Sequence, residues 1–153
     1  MSDKKPSPRY YDTVHFFRAV EKAIYAKEAA ECLVVANQET LTLNGVSGGE
    51  HVAKTMEGDI TERGMARLWE SIDHLDDVLI DYCDLIDGAM EIMDKLDNPM
   101  MYAIVKMRYI DHMRPALVAR KLYISTRQET RLHTQAMYIL YSPMTRWRKM
   151  ACK

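Results

Sequence analysis

Glycine and proline are scarce in this chain, and cysteine scarcer still. Six glycines and five prolines in 153 residues leave long stretches with nothing to interrupt a helix. The three cysteines, Cys32, Cys83 and Cys152, are widely spaced and form no CxxC. That pattern excludes a disulfide framework and a structural zinc site, and fits a reducing compartment. No apolar run approaches the ~20 residues needed to span a bilayer. The polar start Met1-Ser2-Asp3-Lys4-Lys5-Pro6 lacks the apolar stretch of a signal peptide. A soluble, cytoplasmic protein without membrane association is therefore expected. His15, His51, His74, His112 and His133 show no HExxH or paired ligand spacing, and no Ser/His/Asp or Cys/His set is recognisable. No metal, no cofactor and no catalytic residue is expected. GGEHVAKT, Gly48 to Thr55, falls short of a phosphate-binding GxxxxGK[ST] loop, because Ala53 stands where the second Gly belongs and no strand precedes it.

Acidic residues are nearly missing from the last third. Residues 1–98 hold ten Lys/Arg and twenty Asp/Glu, whereas residues 99–153 hold eleven Lys/Arg and only Asp111 and Glu129. The formal net charge of −1 hides this division. Two regions follow: an acidic one over 1–98 and a basic one over 99–153. The basic one concentrates polyanions and the acidic one repels them, so nucleic acid is the first partner to consider.

Helical periodicity organises both regions. Tyr10 to Gln38 has no Gly or Pro and repeats Phe16, Val20, Ala23, Ile24, Ala30, Leu33 and Val34 at helical spacing, which predicts one long helix. Gly45, Gly48, Gly49 and Gly58 predict a loop over 40–59. Met65, Leu68, Ile72, Leu75, Leu79, Tyr82 and Ile86, continuing through Ala89, Met93 and Leu96, alternate spacings of three and four. This heptad seam calls for coiled-coil-type packing. Its partner is either the Tyr10–Gln38 helix, giving a hairpin, or the same helix of a second copy, giving a homodimer. The opposite face, from Glu70 to Asp94, is acidic and reads as solvated.

Asn98-Pro99 caps and opens a short helix over Met100–Asp111, and Pro115 opens another through Leu122. Ser125 with Gln128 fits a capping box ahead of a final helix from Thr126 to about Tyr141, ended by Pro143. Two helices joined by about three residues are the geometry of a helix-turn-helix, whose second helix enters the major groove of double-stranded DNA. If Ile124, Leu132, Ala136 and Leu140 face inward, then Thr126, Arg127, Thr130, Arg131 and Thr134 face outward. Arginine reads guanine edges, and hydroxyls and lysine suit phosphates. Arg120 and Lys121 stand just before the turn, and Ser125 closes it. Arg146, Arg148, Lys149 and Lys153 form a basic tail around Trp147.

The stretch Lys95 to Leu140 resembles region 4 of sigma factors, and more closely the RinA/ArpU-type late transcriptional regulators of phages. The similarity rests on Arg108-Tyr109-Ile110, on Val118 to Leu122 (VARKL), and on Ile124 to Ala136. The resemblance implies promoter binding in a bacterial host cell, with base contacts from Thr126, Arg127, Thr130 and Arg131 and phosphate contacts from Arg120 and Lys121. The chain departs from that pattern at Arg114-Pro115 (usually a Ser/Thr cap), at Ala116-Leu117 (usually a Glu pair), and at Tyr123 (often Gly). Glu129 stands where a buried Val or Ile is usual. A buried carboxylate needs a partner such as Arg120, or solvent, or a changed packing.

The expectation is thus an all-α protein: a long helical hairpin or coiled-coil segment followed by a three-helix unit with a helix-turn-helix. Its expected role is a phage-encoded, sequence-specific, homodimeric regulator of transcription whose acidic hairpin offers a surface to host RNA polymerase. Two alternatives stay open: a phage protein that reuses the fold to inhibit a host protein, and a small DNA-packaging (terminase) subunit.

Overall fold

A computed structural model describes residues 7–46 and 57–151, with side chains described over 7–43 and 61–151. Every regular element among them is a helix, so the fold is all-α. The order is α1 (Pro8–Val46), α2 (Glu57–Met93), α3 (Pro99–Tyr109), α4 (Pro115–Lys121) and α5 (Thr126–Ala151). No helix of the described residues is long and apolar enough to cross a membrane.

Local chemistry explains most of the boundaries. The Asn98 side chain accepts a hydrogen bond from the Met100 N–H (2.9 Å) and Pro99 fills the first helical position, so α3 begins where the sequence places it. Two expectations need correction. The loop expected over 40–59 is helical at both ends, because α1 runs on through Val46 and α2 begins at Glu57, and its middle lies outside the described residues. Thr40 and Thr42 donate their hydroxyls to the carbonyls of Ala36 and Gln38, satisfying within the helix the groups that would otherwise favour a turn. GGEHVAKT falls at residues 48–55 and lies outside the described residues. Nor does α5 stop before Pro143; it continues through it to Ala151.

The chain divides into two compact units. One spans Tyr25–Tyr82 and contains the adjoining parts of α1 and α2. Here Lys27 Nζ lies 5.4 Å from the Tyr82 ring centroid, Asn37 Nδ2 donates to the Arg67 carbonyl at 3.4 Å, and Leu41 packs on Gly64. These pairings run in opposite directions along the two helices, so the segments are antiparallel. Leu68, Ile72, Leu75, Leu79 and Tyr82 of the heptad seam are half-buried and Met65 is exposed. The seam therefore has an intrachain neighbour in α1. The acidic residues from Glu70 to Asp81 on the other face are exposed.

The second unit comprises Met1–Ile24 and Cys83–Lys153, so the charge boundary near residue 98 falls inside it. Its core takes Phe16, Phe17 and Val20 from α1, Ala89, Ile92 and Met93 from α2, Ile104 and Val105 from α3, and Ala136, Met137, Leu140 and Met144 from α5. Ile86, the last residue of the expected oligomerisation set, lies half-buried in this unit. Phe17 meets Tyr109 with ring centroids 5.3 Å apart, and Phe16 meets Trp147 edge-on at 5.3 Å. Each such burial is worth about 1.5–3 kcal/mol.

That packing explains why Pro143 is tolerated. A proline inside a helix costs about 3 kcal/mol, through a lost N–H donor and a clash with the preceding turn. Beyond it, Met144 is fully buried and Trp147 packs on Phe16 and Gly88, which offsets the cost. The segment expected as a basic tail is thus a helix with one face in the core, while Arg146, Arg148 and Lys149 remain exposed.

A side chain at Gly88 would collide with the indole of Trp147. Overpacking against a rigid ring costs about 1–3 kcal/mol, against about 1 kcal/mol gained by replacing a helical glycine. Gly88→Ala should lower Tm and, in a Trp69→Phe background, shift the Trp147 emission to the red.

Candidate nucleic-acid interface

The site is built on α4, a short turn and the first half of α5, all within the second unit. Arg114 supplies no side-chain cap to α4. Its extended backbone and the fixed φ of Pro115 start the helix instead, with the Arg114 carbonyl accepting from Leu117 N–H (2.9 Å) and Val118 N–H (3.1 Å). Val118 and Ala119 are buried; Arg120 and Lys121 in the last turn are exposed. The chain reverses through Tyr123 at φ 55°, and the Ile124 N–H donates to the Ala119 carbonyl at 3.0 Å. A non-glycine residue in this left-handed region costs roughly 1–2 kcal/mol. Ser125 Oγ then accepts from the Gln128 N–H at 3.2 Å, so the expected capping box contributes at least its hydroxyl half.

The inner face of α5 carries an unexpected polar pair. Glu129 has no solvent exposure. Its carboxylate accepts two hydrogen bonds from one guanidinium: Arg108 Nε to Oε1 at 2.7 Å and Arg108 Nη2 to Oε2 at 2.9 Å. The partner is therefore Arg108 on α3, and not Arg120. Bidentate pairing satisfies both oxygens, which a buried carboxylate requires. One turn on, His133 is also buried, and its Nε2 lies 3.0 Å from the hydroxyl of Tyr109, the neighbour of Arg108. Burial, helped by the charge of Arg108, pushes the His133 imidazole down to about 3. Burial likewise pushes the Tyr109 phenol up to about 12. Both are neutral at ordinary pH. Ala136 and Leu140 complete this face as expected, while Ile124 and Leu132 are only half-buried.

The outer face is what this anchoring leaves free. Thr126, Arg127, Thr130 and Arg131 are exposed and Thr134 is half-buried. With Gln135 and Tyr138 they line a shallow, open depression along the helix. Thr130 Oγ1 donates to the Thr126 carbonyl (3.0 Å) and Thr134 Oγ1 to the Thr130 carbonyl (2.8 Å), so each hydroxyl oxygen keeps acceptor capacity toward solvent. Arg127 and Arg131 lie outside the ion pairs found among the described residues, leaving their planar donor forks available for an acceptor. Ser125 is exposed at the helix start, and Arg120 and Lys121 lie just across the turn.

The structure thus brings the sequence-derived residues to one turn and one helix face. It adds Arg108, Tyr109 and His133 as the groups that orient that helix, and Gln135 and Tyr138 as further lining. Comparison with protein-family models, with curated proteins and with solved structures finds no match for this chain.

Two predictions follow from the buried groups. Glu129→Val removes one partner of a buried pair and strands Arg108, so it should destabilise by about 3 kcal/mol in chemical unfolding. Replacing both residues, Arg108→Met with Glu129→Leu, should restore most of the loss. The second concerns acid. His133 is neutral when folded but gains a proton near its ordinary 6.5 when unfolded. Its contribution is complete above that pH and is lost as pH falls toward the folded value, by up to about 1.4 kcal/mol per pH unit. His133→Gln should flatten the decline of Tm between about pH 6.5 and 5, above the carboxylate range.

Proposed function

We propose that this protein binds double-stranded DNA through the outer face of α5 and regulates transcription, as a phage-encoded factor acting in a bacterial cell. The observation that carries the reading is the set Thr126, Arg127, Thr130 and Arg131, exposed together at the start of a helix that follows a tight turn. The second helix of a helix-turn-helix enters the major groove with this end first. Arginine forks there match the O6 and N7 acceptors of guanine, and threonine methyl and hydroxyl groups suit thymine methyls and phosphates. Arg120 and Lys121 supply phosphate contacts from the preceding helix. The likeness of this stretch to sigma region 4 and to RinA/ArpU-type regulators agrees with the chemistry.

The inhibitor alternative draws on Glu129 as a misfit in the motif, on Ala116-Leu117 and on the acidic helix. Of these, Glu129 has a partner, being paired bidentately with Arg108, which favours the DNA reading. Dimeric helix-turn-helix proteins bind two half-sites. A homodimer is part of the proposal, with the exposed acidic face of α2 as a docking surface for RNA polymerase.

Selection from a random duplex pool, followed by fluorescence anisotropy over a salt series, tests the reading. The selected duplex should bind with log affinity falling steeply against log salt. Arg127→Ala and Arg131→Ala should each cost about 1–3 kcal/mol and relax preference at particular base pairs. Arg120→Ala and Lys121→Ala should weaken all duplexes alike and reduce the salt slope by about one each. No enrichment of any sequence, with weak binding to all, would remove the regulator reading.

A further inference from the structure

Tyr123 is the most exposed of the large hydrophobic side chains among the described residues, at 97 %, and its backbone sits at φ 55°. Glycine adopts that conformation freely, whereas a tyrosine is disfavoured there. The ring gains no burial in return, and no hydrogen bond to its hydroxyl is found among the described residues. His112, the other positive-φ residue, differs: it is half-buried, with Nδ1 3.5 Å from Glu21 Oε1, so its side chain is held within the fold. Among the described residues no contact compensates for a tyrosine at 123. Strain that the fold does not use points to a contact outside it.

The surroundings say what that contact is. Arg120 and Lys121 precede Tyr123, and Ser125, Thr126 and Arg127 follow it, all exposed. Between Asp111 and Glu129 the chain has no acid, and the Glu129 carboxylate is buried and engaged by Arg108. The turn therefore presents an aromatic hydroxyl within a purely cationic segment, which suits an anionic partner. We propose that the turn Arg120–Ser125 is a docking surface for the phosphodiester backbone of duplex DNA, with the Tyr123 hydroxyl donating to a phosphate oxygen and its ring lying against the adjacent sugar. Arg120 and Lys121 supply charge, and Tyr123 supplies position. The inference rests on the DNA reading and adds a contact that the recognition face lacks.

A backbone contact does not depend on sequence, so a labelled random-sequence duplex at low salt is a sufficient probe for the full-length chain. Tyr123→Gly relieves the strain and should leave Tm equal or higher while weakening duplex binding at least fivefold. Tyr123→Phe keeps the ring and should lose about fivefold through the missing hydrogen bond. Neither change removes a charge, so the salt slope should stay that of wild type, unlike Lys121→Ala. A Tyr123→Gly protein that binds the duplex as wild type does would overturn the proposal and reassign the exposed ring to a protein partner. Failure of the wild-type chain to bind any duplex at low salt would instead remove the DNA reading itself, and this inference with it.

Discussion

A carboxylate buried without solvent must be matched by a cation, and in this protein that requirement orients the helix on which the site depends. Glu129 lies on the inner face of α5 at 0 % exposure, and the guanidinium of Arg108 meets both of its oxygens. The fork geometry fixes α5 against α3 in rotation as well as distance, which an apolar contact at the same place would do less strictly. Tyr109 and His133 repeat the tie one turn further along. With Glu129 and His133 directed inward, helical geometry turns Thr126, Arg127, Thr130 and Arg131 outward. The pair also removes one of the two acids of the basic region from the surface, so the exposed face of α5 is left without an acid.

The apolar core sustains this arrangement from the other end. Leu140, Met144 and Trp147 carry α5 well past the outward set and bind it to Phe16 and Gly88. A helix held by both polar and apolar contacts has a fixed rotation, and that rotation sets which of its residues face outward. The Tyr25–Tyr82 unit is different in kind. Ala30 and Ser71 are its buried residues among those described, and its seam is half-buried against α1. Two helices paired in this way bury little interior of their own.

Much of this was legible in the sequence because it depends on near neighbours. The seam from Met65 to Ile86 follows from spacing alone, the start of α3 from Asn98-Pro99, and the turn at Tyr123 from its place between two helices. The outward set on α5 follows from helical period once an inward set is chosen. What could not be read depends on partners distant in the chain. Glu129 was visibly anomalous, but which of several arginines would meet it is decided by how α3 crosses α5, twenty-one residues away. Pro143 was read by a rule about helix interiors, and the rule yields because Met144 and Trp147 have a core to enter. Thr40 and Thr42 bond back to their own helix, which composition cannot distinguish from loop chemistry.

The arginines divide: Arg108 is engaged by Glu129 inside the protein, whereas Arg127 and Arg131 are directed outward. Side-chain NMR of arginine Nε–H groups, recorded as a selected duplex is added to the labelled full-length chain, tests this division most directly. The Arg127 and Arg131 signals should shift and become protected from exchange, while Arg108, already protected by Glu129, should not move. Movement of Arg108 with the others, or shifts confined to residues outside α4 and α5, would contradict it.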